Sequence, residues 1–271
     1  MPRAQRKLAF VLAATDHGPM ILNRFDYHAL DANRVYGVGI ELLQSGAFSP
    51  AEINLSLGLL DLRRRYFGDG VFAIDCGANI GVHTVEWAKH MTGWGSVTAF
   101  EAQERVFYAL AGNIALNNCF NARAVHAALA ARAGTMKIPS PDYLRPGSFG
   151  SLELQKRETT EFIGQPVDYS AANLVEVPTA SIDSLAVPRI DMMKIDVEGM
   201  ELEVLEGAAR AIEGQKPVLM VEWVKSDKTK LASWLTDRAY LVFESGMNFL
   251  AIHKTDRCSA HMGKAGLSMT I

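Results

Sequence analysis

Four carboxylates in this chain each close a short apolar run. Asp75 follows Val71-Phe-Ala-Ile, Glu101 follows Ser96-Val-Thr-Ala-Phe, Asp196 follows Ile190-Asp-Met-Met-Lys-Ile, and Glu222 follows Pro217-Val-Leu-Met-Val. Runs of this length and composition read as strands, and in an open parallel sheet their C-terminal ends share the edge where ligands bind. After Asp75 comes a glycine-spaced turn, Cys76-Gly77-Ala78-Asn79-Ile80-Gly81, and a helical pattern opens at Val82. Strand, tight turn and helix N-terminus together make the crevice that holds nucleotide-like cofactors. A carboxylate at the strand tip would repel a pyrophosphate but suits a cation, and the spacing is G-x-x-x-G rather than G-x-G-x-x-G. The pattern therefore predicts S-adenosylmethionine, with its ammonium and sulfonium, held by Asp75, Gly77, Ala78, Asn79 and Gly81. A β-carbon at Gly77 would obstruct the cofactor or strain the turn.

The second acid belongs to the same crevice. In a right-handed βαβ unit the second strand lies beside the first, so Glu101 arrives next to the glycine turn, where its carboxylate can accept both ribose hydroxyls. Asp196 and Glu222 end later strands and face the other, substrate half of the crevice.

The elements that position these residues follow from periodicity and punctuation. Near the start, Phe10–Thr15 and Met20–Arg24 read as a hairpin around Asp16-His17-Gly18, a better account of the apolar stretch after Lys7 than a signal peptide. A polar stretch runs through Asp31 and Asn33, and a helix starts after Ser49 with Pro50 at its first position and Glu52 in its first turn. Helices are expected from Val82 and from beyond Glu101 to Asn118, and a third strand over Ala122–Leu129. The Pro- and Gly-rich stretch 134–178 reads as a functional insertion with strands around Met136–Ile138 and Leu152–Leu154. A helix carrying Leu202, Val204, Leu205, Ala208 and Ile212 closes at Gly214, another spans Lys228–Asp237, and Tyr240–Phe243 with Asn248–Ile252 form a terminal strand pair. The expected division is a flank or lid over 1–67, a catalytic domain over 68–256 containing the insertion, and a tail over 257–271. The fold class is α/β, a doubly wound and mostly parallel sheet with an antiparallel C-terminal edge strand.

Composition narrows the function. About half of the 271 residues are apolar and the net charge is −3, so no global basic field attracts nucleic acid. The clusters Arg3, Arg6, Lys7 and Arg63, Arg64, Arg65 read as solvated charges. Three widely spaced cysteines give neither a disulfide framework nor a metal pattern and suit a reducing, cytoplasmic location. No apolar run is long enough for a membrane span. The oligomeric state is not encoded in any pattern found.

Ile74-Asp-Cys-Gly-Ala-Asn-Ile-Gly81, Ala99-Phe-Glu101, Asn113-Ile-Ala-Leu-Asn117, Ser148-Phe-Gly150 and Lys194-Ile-Asp-Val-Glu-Gly-Met-Glu-Leu-Glu-Val-Leu205 together resemble the FkbM family of S-adenosylmethionine-dependent methyltransferases. The resemblance covers most of the chain, from Tyr36-Gly37 to Glu222, with Cys76 a mild departure where a small aliphatic residue is expected. It implies the seven-stranded, Rossmann-like class I methyltransferase fold and O-methylation, often of sugar or polyketide hydroxyls, so that the partner is a small-molecule or glycan acceptor.

Methyl transfer is an in-line displacement, and a hydroxyl nucleophile needs a base within hydrogen-bond reach or a metal that lowers its pKa. Lys194, Asp196 and Glu198 alternate along one extended segment and share a face. Asp196 is the first candidate for base, Glu222 the second, and Lys194 would orient the carboxylate or the substrate. Glu198 reads equally well as a helix-dipole partner, and His83 as a polar helix position. A magnesium ion at Asp196 and Glu222 would suit the hard oxygens but is the disfavoured version, and no metal ligands are assigned. Other readings are a methyltransferase for another small-molecule or macromolecular acceptor, a nicotinamide-dependent oxidoreductase, disfavoured by the glycine spacing, and a catalytically silent cofactor-binding module.

Overall fold

The computed structural model describes residues 6–31 and 34–262. The expectations for Arg3, for Asn33 and for the tail beyond residue 262 lie outside the described residues. The chain divides into two compact units, one of Met1–Phe48 with Lys137–Glu176, the other of Ser49–Met136 with Val177–Ile271.

In the first unit β1 (Phe10–Thr15) and β2 (Gly18–Asn23) form the expected hairpin, with Thr15 opposite Gly18. Two short strands follow, β3 (His28–Ala29) and β4 (Val35–Tyr36), then a helix the periodicity did not announce, α1 (Val38–Ser45), closed by Gly46 in the left-handed conformation. The buried Asp26 carboxylate ties this segment to the insertion by accepting the N–H groups of Gly39 at 3.0 Å and Phe149 at 2.9 Å. Burial lifts Asp26 to a pKa of about 6 against the pull of those two N–H donors. The strand expected at Leu152–Leu154 is absent; Phe149–Ser151 instead forms one 3-10 turn with Phe149 fully buried.

The second unit begins with α2 (Pro50–Phe67), so this helix groups with the sheet rather than with the hairpin, unlike the continuous 1–67 flank that was expected. It continues through β5 (Val71–Cys76), α3 (Val82–His90), β6 (Gly95–Glu101), α4 (Glu104–Leu116), β7 (Ala122–His126) and β8 (Ala128–Leu129). The chain leaves within β9 (Gly134–Pro139) and returns within β10 (Leu174–Ala180), and the unit is completed by β11 (Met192–Ile195), α5 (Glu201–Glu206), α6 (Ala209–Gln215), β12 (Val218–Glu222), α7 (Lys228–Thr236), β13 (Tyr240–Ser245) and β14 (Asn248–His253). Three expectations are corrected in detail. The third strand splits at Ala127, and the helix after Gly199 breaks at Gly207, whose missing β-carbon lets the chain approach the Ala130 carbonyl; a Cβ there would lie 2.2 Å from that oxygen. The tail is not loose from residue 257: Arg257–His261 forms a 3-10 turn with Cys258 buried, and Tyr66 Oη meets His261 Nε2 at 2.5 Å.

The main sheet has seven strands in the order β13-β14-β12-β11-β5-β6-β7. β5, β6, β7, β11 and β12 pair parallel; only β14 runs against its neighbours, and it lies second from the edge, not at it. The reason is apolar content. Every residue of Asn248–His253 is buried, whereas Tyr240–Ser245 mixes buried and exposed positions, so the more apolar arm of the hairpin takes the interior place. Strand order runs one way from β5 to β7 and the other way from β11 to β12. With right-handed crossovers that reversal opens a crevice at the C-terminal ends of β5 and β11.

At the opposite end of these strands one sequence expectation fails. Arg63 is not a solvated charge; it is buried, with Nε 3.0 Å from Asp191 Oδ1 and a second ion pair to Asp256. Asp191 also accepts the Phe72 N–H at 2.9 Å. A buried guanidinium requires such partners to offset its desolvation.

Candidate active site

Register sets the site. Asp75 lies opposite Ala99 on one side and Lys194 on the other, and Ile195 lies opposite Val221. One residue further, Asp196 and Glu222 leave adjacent strand ends side by side. All four strand-end acids therefore share one edge of the sheet.

The turn after β5 is built from the main chain. The N–H groups of Gly77 and Ala78 both donate to the Phe100 carbonyl, at 3.0 and 2.9 Å. Asn79 takes a positive φ of 51°, its N–H donating to Glu101 Oε2 at 2.9 Å and its Oδ1 accepting the Ile80 N–H at 2.7 Å. Asn113, from the Asn113–Asn117 stretch of α4, donates to the Ile80 carbonyl at 2.8 Å and pins the turn from behind. With these N–H groups engaged, the turn is not an anion cradle, in keeping with a cationic ligand. Gly77 has φ 78°, and a Cβ there would lie 1.8 Å from the backbone oxygen of Asp196. The constraint on Gly77 is thus the contact between the β5 turn and the end of β11, also joined by Asp196 N–H to Cys76 carbonyl at 3.0 Å. Gly81, at φ 88°, faces Leu110.

The two acids of this half differ in their partners. Asp75 is almost wholly buried; its Oδ2 accepts from Thr84 Oγ1 at 2.6 Å, while Oδ1 is buried with no hydrogen-bond partner. An orphaned carboxylate oxygen at the strand tip fits the positive end of the predicted cofactor. Glu101 accepts main-chain N–H groups on both oxygens, from Asn79 and, at 2.8 Å, from Gln103. Burial raises it to a pKa of about 7, although those N–H donors pull the other way.

The other half is made of side chains. Asp196, Glu198 and Glu222 bring one oxygen each to within 4.8 Å of one another. Glu198 does not continue the strand: β11 ends at Ile195 and Glu198 has φ 56°, so the two acids meet Glu222 through a turn rather than through alternation. Glu201 shapes that turn, its Oε1 accepting the N–H groups of Val197 at 3.1 Å and Gly199 at 3.0 Å and its other oxygen held by the Ser226 hydroxyl. Two lysines answer part of the charge. Lys194 Nζ lies 2.6 Å from Asp196 Oδ2, and Lys225 Nζ lies 2.6 Å from Glu198 Oε2. Burial alone would lower Lys194, but Asp196, Glu52 and Asp75 outweigh it and hold the ammonium charged. Glu198 is pushed up to about 8 by burial and by Asp196, against Lys225; Glu222 is pushed up to about 9 by burial, then Asp196 and Glu198.

Several neighbours were not singled out by the sequence. Glu52, from the first turn of α2, lies 3.0 Å from His83 Nε2 and accepts Asn248 Nδ2 at 3.1 Å. Burial would raise Glu52, but His83, Lys194 and Asn248 bring it down to about 2. His83 is a polar helix position as expected, and it is buried, lying against the Glu52 carboxylate and edge-on to Trp87. Lys225 and Asn248 carry no local motif; only their places just after β12 and opposite Glu222 would have flagged them.

With this geometry in place, comparison with known proteins is informative. The methyltransferase FkbM domain matches residues 75–242. Methyltransferase sdnD of Sordaria araneosa is 33% identical over 156 residues, covering 50% of this chain and 60% of that protein. The match thus spans less than two thirds of the curated relative's length. Among solved structures, the methyltransferase FkbM of Methylobacillus flagellatus KT is similar with a TM-score of 0.48 and 17% identity, over 71% of this chain and 48% of that one. SMU.1697c of Streptococcus mutans, solved in complex with SAH, is similar with a TM-score of 0.43 and 12% identity, over 76% and 97%. Among the described residues no helix is long and apolar enough to cross a membrane.

Proposed function

The chain belongs to the FkbM methyltransferase family, and on that footing we propose that it is an S-adenosylmethionine-dependent O-methyltransferase acting on a hydroxyl of a carbohydrate or secondary metabolite. The observation that carries the reading is the convergence of Asp196, Glu198 and Glu222 beside the turn that holds Asp75 and Glu101. An amine acceptor would need no strong base, whereas an alcohol must lose its proton as the C–O bond forms. When bound, S-adenosylmethionine supplies the electrophilic methyl group. Glu101 would hold the ribose hydroxyls on the lone pairs its two N–H donors leave free, and the unpartnered Oδ1 of Asp75 would face the methionine portion. Gly77, Ala78, Asn79 and Gly81 shape the wall.

On the opposite wall the carboxylate cluster receives the acceptor's proton. Asp196 is the base expected from the sequence, and one of its oxygens is held by Lys194. Glu222 keeps a buried Oε2 with no partner, and burial, Asp196 and Glu198 raise it to about 9, so it accepts a proton only after losing its own. Lys194 orients Asp196 and stabilises the ionised cluster. Three free, buried cysteines and the absence of a net positive charge fit a cytoplasmic enzyme with a small-molecule or glycan acceptor rather than a nucleic acid.

The test is calorimetry with S-adenosylmethionine, S-adenosylhomocysteine and NAD, followed by transfer of a labelled methyl group to a panel of sugar and polyketide alcohols and matched amines. Binding of the two sulfur nucleosides and labelling of alcohols is the expected result. Labelling confined to amines would overturn the hydroxyl assignment, and binding of NAD alone would overturn the cofactor.

A further inference from the structure

We propose that Asp196, Glu198, Glu222 and the side-chain oxygen of Asn248 form a binding site for a hard divalent cation of the magnesium, manganese or calcium class. The inference rests on the methyl-transfer reading only for its purpose, which is to hold the acceptor hydroxyl; the site itself is argued from geometry.

Three carboxylate oxygens lie within 4.8 Å of one another. Ligands on opposite sides of a calcium ion stand about 4.6–5.2 Å apart and those on adjacent corners of a magnesium octahedron about 3 Å apart, so this spread lets all three reach one ion with small side-chain adjustments. The acids are half-buried, which leaves an entry path. Acidity alone would not make a site, because two lysines already face it.

The second observation is Asn248. It lies directly opposite Glu222 in the β12–β14 pairing, so the two side chains stand on the same face of the sheet as nearest cross-strand neighbours. Asn248 is 6% exposed, and its Nδ2 is fixed by donation to Glu52 Oε2, which settles which end of the amide is the oxygen. That oxygen is buried with no donor, and so is Glu222 Oε2 beside it. The Asn248 oxygen, on the same face of the sheet as Glu222, thus lacks an electropositive partner. The lysines are committed elsewhere: Lys194 to Asp196 and Lys225 to Glu198. Four oxygens with no nitrogen or sulfur ligand select a hard cation over zinc or copper.

The full-length protein, stripped with EDTA, is titrated with Mn2+ and the free ion is read by its electron paramagnetic resonance signal. One bound ion per chain, displaced by excess Mg2+ or Ca2+, is expected. Glu222→Gln and Asn248→Leu should each weaken Mn2+ binding roughly tenfold or more, with thermal unfolding confirming that the variants are folded. Glu222→Gln keeps the size of the side chain and adds no charge to an over-acidic cluster, so it is the variant that keeps its fold. No saturable Mn2+ binding below about 1 mM overturns the proposal, as does parental affinity in folded Glu222→Gln. S-adenosylhomocysteine binding, measured in the same preparation, separates the two readings. Its retention without Mn2+ binding removes the cation site and leaves the methyltransferase assignment, whereas Mn2+ binding without it supports the site and counts against the proposed cofactor.

Discussion

The two halves of the sheet edge hold acids in opposite ways. In the half formed by β5 and β6, charge is answered by the main chain and by near neighbours: Glu101 takes two N–H groups within its own βαβ unit, and Asp75 takes the Thr84 hydroxyl of the helix that follows. In the half formed by β11, β12 and β14, charge is answered by side chains, Lys194 on Asp196 and Lys225 on Glu198, and is answered incompletely, because Glu222 Oε2 has no partner. In the first half most acceptor oxygens already have a donor, and Asp75 Oδ1 is the exception. The second is over-acidic, with Glu198 and Glu222 lifted to about 8 and about 9 by burial first and then by the neighbouring acids, and shifts of that kind are characteristic of a place where chemistry is done.

The largest effect should come where the halves touch. Gly77→Val would drive a Cβ against the Asp196 carbonyl, at 1.8 Å, and would force a positive φ on a β-branched residue. Overpacking and backbone strain each cost about 1–3 kcal/mol, so the variant should lose several degrees of thermal stability and all measurable S-adenosylhomocysteine binding. A variant with parental melting temperature and affinity would show that the turn and the end of β11 are not coupled.

That contact also explains what could be read from the sequence. The arrangement of the half proposed to hold the cofactor was legible because its determinants are contiguous: a strand, the Gly77–Gly81 turn and a helix within one βαβ unit, with Glu101 brought alongside by the handedness of the crossover. Of the half proposed to hold the acceptor, only the shared placement of Asp196, Glu222 and Lys194 was legible. Glu198 was ambiguous because its role depends on a left-handed residue at the end of β11, which strand alternation cannot anticipate. Glu52 and Asn248 were invisible as site residues because hydrogen bonding joins them across almost the whole sequence of the second unit. The place of β14 inside the sheet was missed for a related reason: the hairpin was clear, but which arm turns inward is settled by tertiary burial. α1 was missed because it is only 8 residues long and opens directly after β4 and Gly37, which offers little periodicity.

The next effect tests the acceptor half by itself. Asp196→Asn keeps shape and hydrogen bonding but removes the carboxylate, and Glu222→Gln does the same for its neighbour. Turnover on an alcohol acceptor should fall by roughly 10²–10⁴ in the variant that removes the base, while S-adenosylhomocysteine affinity changes little. Loss of affinity in step with turnover would mean that the two halves do not divide cofactor from acceptor as argued.

A smaller effect belongs to the cofactor half. Glu101→Ala removes a carboxylate assigned to the ribose hydroxyls and leaves the Asn79 and Gln103 N–H groups without their acceptor. Losing a charge-assisted hydrogen bond costs on the order of 1.5–3 kcal/mol, so calorimetry should show roughly tenfold to hundredfold weaker S-adenosylhomocysteine binding. Unchanged affinity would remove the ribose assignment, and unchanged stability would show that the turn does not depend on Glu101.

The last effect is a slope of stability against pH, and it distinguishes the halves without any ligand. Glu222 has its pKa raised from 4.5 to about 9, so across that window the folded chain keeps a proton that the unfolded chain has released. Stability must therefore fall as pH rises through the window and level off above it. Glu101, raised only to about 7, contributes the same sign of slope but stops near neutrality. Just above neutrality the decline then belongs to the Glu222–Glu198 pair, which titrates as a unit, while toward pH 9 the thiols of Cys76, Cys119 and Cys258, each raised by burial, add the same sign, so the comparison with Glu222→Gln isolates the pair. Measured in EDTA by denaturant unfolding, the parental protein should lose stability over that upper range. Glu222→Gln, with no charge to bury, should lose less, so that its advantage over the parent widens toward alkaline pH. Equal slopes for the two proteins would mean that Glu222 is already ionised in the folded chain, and the contrast between a satisfied half and a frustrated half would fail at its most charged residue.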